Sequence, residues 1–135
     1  MRRIIILLAF FLLSCETNFK KEKTENNLPK SLESAVEYIV SDLSAEDKIK
    51  VKETKFCNLI MYHHGWGTGI RNSLGLWRGN TELLKSACGG ERCHPDDASM
   101  EIIYGVWNKL KDTPIRHKPN KEDNCEPDWL NEIVE

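Results

Sequence analysis

The chain has 135 residues, which is the size of one typical domain. It carries 19 basic and 21 acidic side chains, so its formal net charge is −2. This weakly acidic balance argues against nucleic acid as a partner, because binding to phosphates requires clustered cations.

The first fourteen residues predict a secretory signal peptide. Arg2 and Arg3 precede an unbroken apolar run, residues 4–13. The run is shorter than the roughly 20 residues that span a bilayer, but it suits the core of a signal. The sequence Leu12-Leu13-Ser14-Cys15 resembles the lipobox of bacterial lipoproteins, in which the signal is cut before the cysteine and the cysteine is acylated. An ordinary secreted protein with a cysteine near its cleavage site is the alternative.

Lipidation of Cys15 would anchor the protein to a membrane, since several acyl chains together give stable attachment. Removal of residues 1–14 takes away two arginines and leaves 17 basic against 21 acidic side chains. Residues 15–29 are polar, mixed in charge and almost free of large apolar side chains, a composition typical of a flexible tether. The sequence therefore predicts a membrane-anchored lipoprotein of the cell envelope, facing the periplasm or the cell surface.

The first helix is predicted to begin after Ser31, whose side chain can cap it, while Glu33 suits the positive end of the helix dipole. Ser44, followed by Glu46 and Asp47, predicts a restart as a second, short helix. The apolar side of the first helix follows helical spacing: Leu32, Ala35, Val36, Ile39, Val40 and Leu43.

A third segment starts near Thr54, and its course through the glycines has two interpretations. Gly65, Gly67 and Gly69 each cost about 1 kcal/mol relative to alanine inside a helix. The helix either ends at Gly65 or continues to Gly75, with glycines on one face that let another helix approach closely. We favour the continuous helix, because the apolar spacing is kept across the glycines.

Two more helices are predicted before residue 111. A turn carrying Trp77 leads into a short helix over residues 80–88, capped by Asn80 or Thr81. The last strong helix follows the loop at residues 93–97, with Asp96 and Asp97 as its N-cap and first-turn acid. Its apolar stripe contains Ile103, Val106, Trp107 and Leu110.

Residues 112–135 are predicted to form a C-terminal extension. Pro114 and Pro119 frame a loose polar tail, and residues 126–134 form a further short helix, held to the domain if Cys125 is paired. No segment shows the alternation of a strand. The predicted fold is therefore an all-α, single-domain bundle of four to six helices, covering residues 30–111.

Five cysteines are present, and acylation of Cys15 would leave an even set of four. Paired thiols are expected in an exported protein, because the compartment is oxidising. Four cysteines allow three pairings; the short loop between Cys88 and Cys93 favours that pair, with Cys57–Cys125 as the second. Free thiols are the alternative.

Several short motifs together resemble a family of small bacterial domains of unknown function. They are Leu28-Pro-Lys-Ser-Leu32, His63-His-Gly-Trp-Gly67, Ile70-Arg-Asn72, Gly75-Leu-Trp77, Gly79-Asn80 and Pro95-Asp-Asp-Ala-Ser99 before a helix with Trp107. The resemblance covers about Leu28 to Leu110. It implies the domain boundaries and the helical fold, and it brings no activity with it. This chain has two segments that look like additions to the family pattern: the loop from Cys88 to Cys93 and the tail after Lys111.

The candidate binding surface combines the glycine-rich stretch with the loop before the last helix. Its members are His63, His64, Trp66, Arg71, Asn72, Trp77, Asp96 and Asp97. Arg71 could bind an anionic ligand through its planar guanidinium, but we favour an internal pair with Asp96 or Asp97. That pair would place the His-Gly stretch beside the Pro-Asp-Asp loop. The tryptophans are expected to pack in the core or at its rim.

The two histidines are also the candidate metal ligands. Adjacent residues of a helix point about 100° apart, so His63 and His64 cannot both face one ion. One of them could bind zinc or a related divalent ion together with His94, Asp96 or Asp97. We favour structural roles for both, and no metal or other cofactor is predicted.

The sequence predicts a monomeric binding module, with a protein or another envelope component as its ligand. One alternative is a metal-dependent enzyme of the hydrolase type, using His63 or His64 with Asp96 or Asp97. Another is an immunity- or inhibitor-type partner protein, which rests on small size and predicted location alone.

Overall fold

The computed structural model of the chain describes residues 27–123 and Cys125. The predicted signal peptide, Cys15, most of the predicted tether and the predicted helix at residues 126–134 lie outside these residues. Within them the protein is all-α, as predicted, and has no strand. The α-helices are α1 (Leu32–Asp42), α2 (Ala45–Glu53), α3 (Trp66–Ser73), α4 (Thr81–Cys88) and α5 (Pro95–Leu110). Three 3₁₀ helices cover Phe56–Tyr62, Leu76–Arg78 and Lys121–Asp123.

The first two helices begin where the sequence predicts. The Ser31 hydroxyl accepts a hydrogen bond from the Ser34 N–H, and the Ser34 hydroxyl accepts one from the Ser31 N–H, which completes a capping box around α1. The Ser44 side chain accepts from the Asp47 N–H at 3.0 Å and caps α2. Both caps satisfy backbone donors that have no partner inside a helix.

The prediction of one continuous helix from Thr54 to Gly75 is wrong. Residues 56–62 form a 3₁₀ helix, residues 63–65 form a turn, and α3 begins only at Trp66. A 3₁₀ helix has three residues per turn, so every third side chain lies in one row. Phe56, Leu59 and Tyr62 form the row that packs against the domain, whereas Ile60 and Met61 are exposed.

Helix α5 lies at the centre of the core and contacts the other four α-helices. Ala98, Ile102, Ile103 and Val106 are completely buried. Its N-cap is His94 rather than Asp96 or Asp97: the His94 Nδ1 atom accepts from the Asp96 N–H at 3.3 Å. Pro95 occupies the first helical position, where its missing N–H costs nothing, and the two aspartates follow in the first turn.

Gly105 allows α1 to lie directly against α5. A Cβ atom added at Gly105 would collide with the Val36 Cγ2 atom, and it would lie 3.8 Å from the Leu32 Cδ1 atom. The close approach therefore depends on the missing side chain, and it buries the apolar face of α1 against the middle of α5.

Asn80 joins the start of the domain to the turn before α4. It stands at the N-cap position of α4, but its side chain does not cap that helix. Its buried Nδ2 atom instead donates to the Pro29 carbonyl at 3.0 Å and to the Leu74 carbonyl at 2.9 Å. The turn itself needs left-handed glycines, Gly75 with φ 67° and Gly79 with φ 90°.

The tail after α5 is not the loose polar segment that the prolines predict. Residues 112–123 run back across the domain as an ordered strap, and Arg116 stacks over the Phe56 ring at 4.2 Å. Both predicted disulfides are present, Cys57–Cys125 and Cys88–Cys93. The first ties the chain just after the strap to the 3₁₀ helix Phe56–Tyr62. No helix in the described part of the chain is both long and apolar enough to cross a membrane.

Candidate functional site

Arg71 is the centre of the predicted site, and it is buried, with 6 % of its surface exposed. Its Nε atom pairs with Asp96 Oδ1 at 3.1 Å, and its Nη1 atom donates to the Ser99 hydroxyl at 2.8 Å and the His63 carbonyl at 3.3 Å. Its Nη2 atom donates to the Thr68 hydroxyl at 2.8 Å. The predicted internal pair is therefore with Asp96, and it joins α3 to the first turn of α5.

These contacts remove Arg71 from the candidate binding surface. A guanidinium has five N–H donors, and the three nitrogens of Arg71 all face atoms of the protein. As predicted, the His-Gly stretch lies beside the Pro-Asp-Asp loop, because Arg71 contacts both His63 and Asp96. Asp97, the other candidate, is exposed at the start of α5.

His63 and His64 lie in the turn between the 3₁₀ helix and α3 rather than inside a helix. Their rings meet edge to face with centroids 4.8 Å apart. His63 is half-buried and its backbone carbonyl accepts from Arg71, while His64 is exposed and its carbonyl accepts from the Thr68 hydroxyl. Both histidines therefore take part, through their backbones, in the hydrogen bonding that starts α3.

The metal candidates do not form a ligand set. In residues 27–123 and at Cys125, no group of three His, Cys, Asp or Glu side chains is placed to hold an ion. Asp96 instead pairs with Arg71, and its second oxygen lies 3.3 Å from His94 Nδ1.

Trp77 provides the largest exposed aromatic surface of the candidate site. The side chain lies in the 3₁₀ turn between Gly75 and Gly79 and is 53 % exposed. Its ring meets the His94 ring edge to face, with centroids 5.3 Å apart. Arg78 Nη2 donates to the Asn72 carbonyl at 3.0 Å. We call Asn72, Trp77, Arg78 and His94 the Trp77 patch; sequence reasoning found two of them and missed Arg78 and the role of His94.

The backbone holds Trp77 in place from both sides. The Arg78 N–H donates to the Gly75 carbonyl at 2.9 Å, and the Asn80 N–H donates to the same carbonyl at 3.2 Å. On the other side of Trp77, His94 is fixed as the N-cap of α5. An aromatic side chain on a rigid backbone loses little conformational entropy when it binds, which suits it to anchor an interface.

Trp66 lies apart from this patch. Its ring packs edge to face against Tyr62 at 5.5 Å, and both rings line an open cavity of about 280 Å³. Leu43 and Val51 form the apolar floor of the cavity, with Asp47 and Lys50 at its rim. Trp66 is therefore a rim residue, as predicted, whereas Trp107 is in the core and Trp77 is exposed.

The comparisons with known proteins give a family but no activity. A family model described as Domain of unknown function (DUF6794) matches residues 28–110, more than half of the chain. The chain belongs to the DUF6794 family. No curated protein matches it, and no solved structure does. The predicted resemblance, over about Leu28 to Leu110, has the same extent as the DUF6794 domain.

The DUF6794 domain ends with α5, so the strap lies beyond it. The strap is organised by Arg116, whose Nη1 and Nη2 atoms pair with both carboxylate oxygens of Asp123 at 2.5 and 2.7 Å. The guanidinium stacks over the rings of Phe56 and Trp107, at 4.2 and 5.0 Å from their centroids. Sequence reasoning missed Arg116 and Asp123, because neither lies in a predicted helix or a motif.

The paired charges shift both pKa values. The hydrogen bonds from Arg116 hold the pKa of the Asp123 carboxyl below its usual range, against the smaller opposing effect of burial. The same hydrogen bonds raise the pKa of Arg116. Nearby, burial first and the charge of Glu101 second raise the pKa of the Tyr104 hydroxyl.

We expect acid to loosen the strap. Because the pKa of Asp123 is lowered on folding, the pair stabilises the strap above the unfolded value of about 4 and loses that contribution as the pH falls through the folded value. The N–H groups of Asn120, Glu122 and Asp123 hydrogen-bond within the strap. Their hydrogen exchange should be slow from pH 7 to about pH 4, after correction for intrinsic rates, and faster below. Asp123→Asn should show the fast exchange already at pH 7. A titration midpoint of the Asp123 carboxyl at or above 4 would contradict this assignment.

Proposed function

We propose that this protein is a lipid-anchored lipoprotein of the cell envelope, and that its DUF6794 domain is a binding module that uses the Trp77 patch. The lipobox pattern at Leu12-Leu13-Ser14-Cys15 supports the anchor, since acyl chains on Cys15 would hold the domain at a membrane surface. The ligand is a protein or another component of the envelope.

The exposure of Trp77 carries the binding proposal. Large aromatic side chains are enriched at the centres of protein interfaces, where they contribute most of the binding energy. Trp77 is 53 % exposed although the turn that carries it is rigidly hydrogen-bonded. The polar groups beside it, on Asn72, Arg78 and His94, are of the kind that forms the rim of an interface.

One crosslinking experiment tests both parts of the proposal. A photoreactive amino acid replaces Asn72, whose side chain is exposed at the edge of the Trp77 patch, in the full chain expressed in a bacterium that processes lipoproteins. We expect the chain in the membrane fraction and a discrete crosslinked adduct after illumination. Trp77→Ala should lower the yield of that adduct at least tenfold, because the patch loses its anchor.

Two controls separate the two claims. The same photoreactive residue at Ile49, which is 56 % exposed on α2, should give no discrete adduct, and Cys15→Ala should move the chain out of the membrane fraction. An adduct that is unchanged by Trp77→Ala would overturn the role of the patch. A Cys15→Ala chain that stays with the membrane would overturn the anchor.

A further inference from the structure

Asn108 shows that the strap occupies a site belonging to the DUF6794 domain. Its side chain is completely buried. The Nδ2 atom donates to the Tyr104 carbonyl at 2.7 Å and to the Arg116 carbonyl at 3.3 Å, and the Oδ1 atom accepts from the Thr113 hydroxyl at 3.2 Å. Thr113 and Arg116 lie outside the family match, so this buried amide of the domain has one partner inside the domain, Tyr104, and two partners in the strap.

The strap also places an apolar side chain between α1 and α5. Ile115 packs against the core, and its Cδ1 atom lies 3.8 Å from the position that a Cβ of Gly105 would occupy. Ile115, Val36 and Lys109 line an open cavity of about 150 Å³ beside this contact. The missing side chain at Gly105 thus leaves room for both α1 and an inserted isoleucine.

The next two strap residues meet matching chemistry on the domain. The Arg116 guanidinium lies over Phe56 and Trp107, and a cation over two aromatic rings is attracted by both. His117 pairs with the Glu101 carboxylate. Four side chains of one extended segment therefore reach four different features of the DUF6794 domain: a buried amide, an apolar space, an aromatic pair and a carboxylate.

We propose that this face is a peptide-docking groove of the DUF6794 domain, which this chain fills with its own residues 113–117. We call it the α5 groove: Glu101, Gly105, Asn108 and Trp107 on α5, with Val36 and Phe56 beside them. The chemistry of the strap identifies the ligand as an extended peptide in which an apolar residue is followed by arginine. This proposal does not depend on the Trp77 patch.

Covalent links hold the strap near the groove at both ends. The strap follows directly after α5, and Cys57–Cys125 ties its other end to the 3₁₀ helix Phe56–Tyr62. Such tethering gives a short segment a high effective concentration, commonly millimolar or more. A free peptide of the same sequence therefore competes poorly unless the disulfide is opened and the strap's own contacts with the groove are weakened.

The test measures binding of a synthetic, fluorescently labelled peptide of residues 112–123. The protein is the chain from Glu16 onward with Cys57→Ser, Cys125→Ser, Ile115→Ala and Arg116→Ala, so that the strap is present but weakly held. We expect saturable binding to this variant and at least tenfold weaker binding to the unsubstituted chain, whose groove is filled. A peptide with alanine in place of its arginine should bind the variant at least tenfold more weakly.

A second measurement tests the proposal in case the variant with four substitutions folds poorly. The chain with only Cys57→Ser and Cys125→Ser keeps every groove contact of residues 113–117. Excess peptide should displace its strap and so speed exchange of the Thr113 N–H, which donates to the Asn108 carbonyl at 3.0 Å. The proposal would be overturned if the variant with four substitutions folds but does not bind the peptide. It would also be overturned if that variant binds the peptide that lacks arginine equally well. Displacement that the arginine-free peptide produces equally well would do the same.

Discussion

Replacing Gly105 by alanine should destabilise the domain by about 1–3 kcal/mol, which is the usual cost of forcing an extra carbon into a packed core. The added Cβ would collide with Val36 Cγ2. Val36 is buried and β-branched, so it cannot rotate out of the way cheaply. Urea denaturation of the chain from Glu16 onward would measure the change in the free energy of unfolding.

Gly69→Ala is the matched control, because the same carbon is added inside another helix. A Cβ at Gly69 would have no neighbour within 4 Å. This variant should therefore be stabilised, by up to about 1 kcal/mol, since alanine favours helix more than glycine does. If both variants lose stability equally, the close approach of α1 to Gly105 is not what that glycine provides.

Arg71→Met should cost about 3 kcal/mol, at the low end of the range for loss of one partner from a buried ion pair. Methionine fills much of the space but provides none of the hydrogen bonds to Ser99, Thr68 and the His63 carbonyl. The cost stays at the low end because the Asp96 side chain is 36 % exposed and water can solvate it. Thermal and urea denaturation would both show the change.

Arg78→Met is the control for Arg71→Met, since the Arg78 side chain is exposed and donates to a backbone carbonyl, that of Asn72. We expect a change of about 0.5 kcal/mol or less, as for most surface positions. A double-mutant cycle with Asp96→Asn should give a coupling energy for Arg71 and Asp96 of about 0.5–3 kcal/mol. A coupling near zero would mean that the ion pair contributes nothing beyond its neighbours.

The sequence predicts the parts of the fold that local signals determine. Ser31 and Ser44 start helices because a hydroxyl beside free N–H groups is a local arrangement. A pair between Arg71 and Asp96 or Asp97 was also predictable, because a buried cation requires an acid and both aspartates stand at the start of the last predicted helix; the structure has the pair with Asp96. The short loop between Cys88 and Cys93 similarly favoured its own disulfide.

The break at Gly65, before α3, was the interpretation that the sequence analysis did not favour, because two periods fit the same residues. Phe56, Leu59 and Tyr62 follow a period of three, yet Phe56, Leu59 and Ile60 also follow the helical pattern. Tertiary packing decides between them by burying the first set and leaving Ile60 exposed. The spacing of apolar residues alone therefore cannot decide between a 3₁₀ helix and a continuous α-helix.

The strap was missed for a different reason. Arg116 is stabilised by Phe56, sixty positions earlier in the chain, and by Trp107 on α5. Its neighbours are prolines, lysines and other polar residues, a composition that usually indicates a loose tail. Only the folded domain brings the rings, the Asn108 amide and the Glu101 carboxylate to where this segment can use them.

If Cys15 carries the proposed lipid, the link between Asn80 and Pro29 also limits how far from a bilayer the protein can act. Pro29 is tied to the same turn that carries Trp77, so the chain leaves the domain beside the Trp77 patch. Even fully extended, the peptide steps from Cys15 to Asn27 span at most about 40 Å. If Cys15 is the lipid anchor, Asn27 stays within that distance of the membrane surface, and a ligand must meet the domain there.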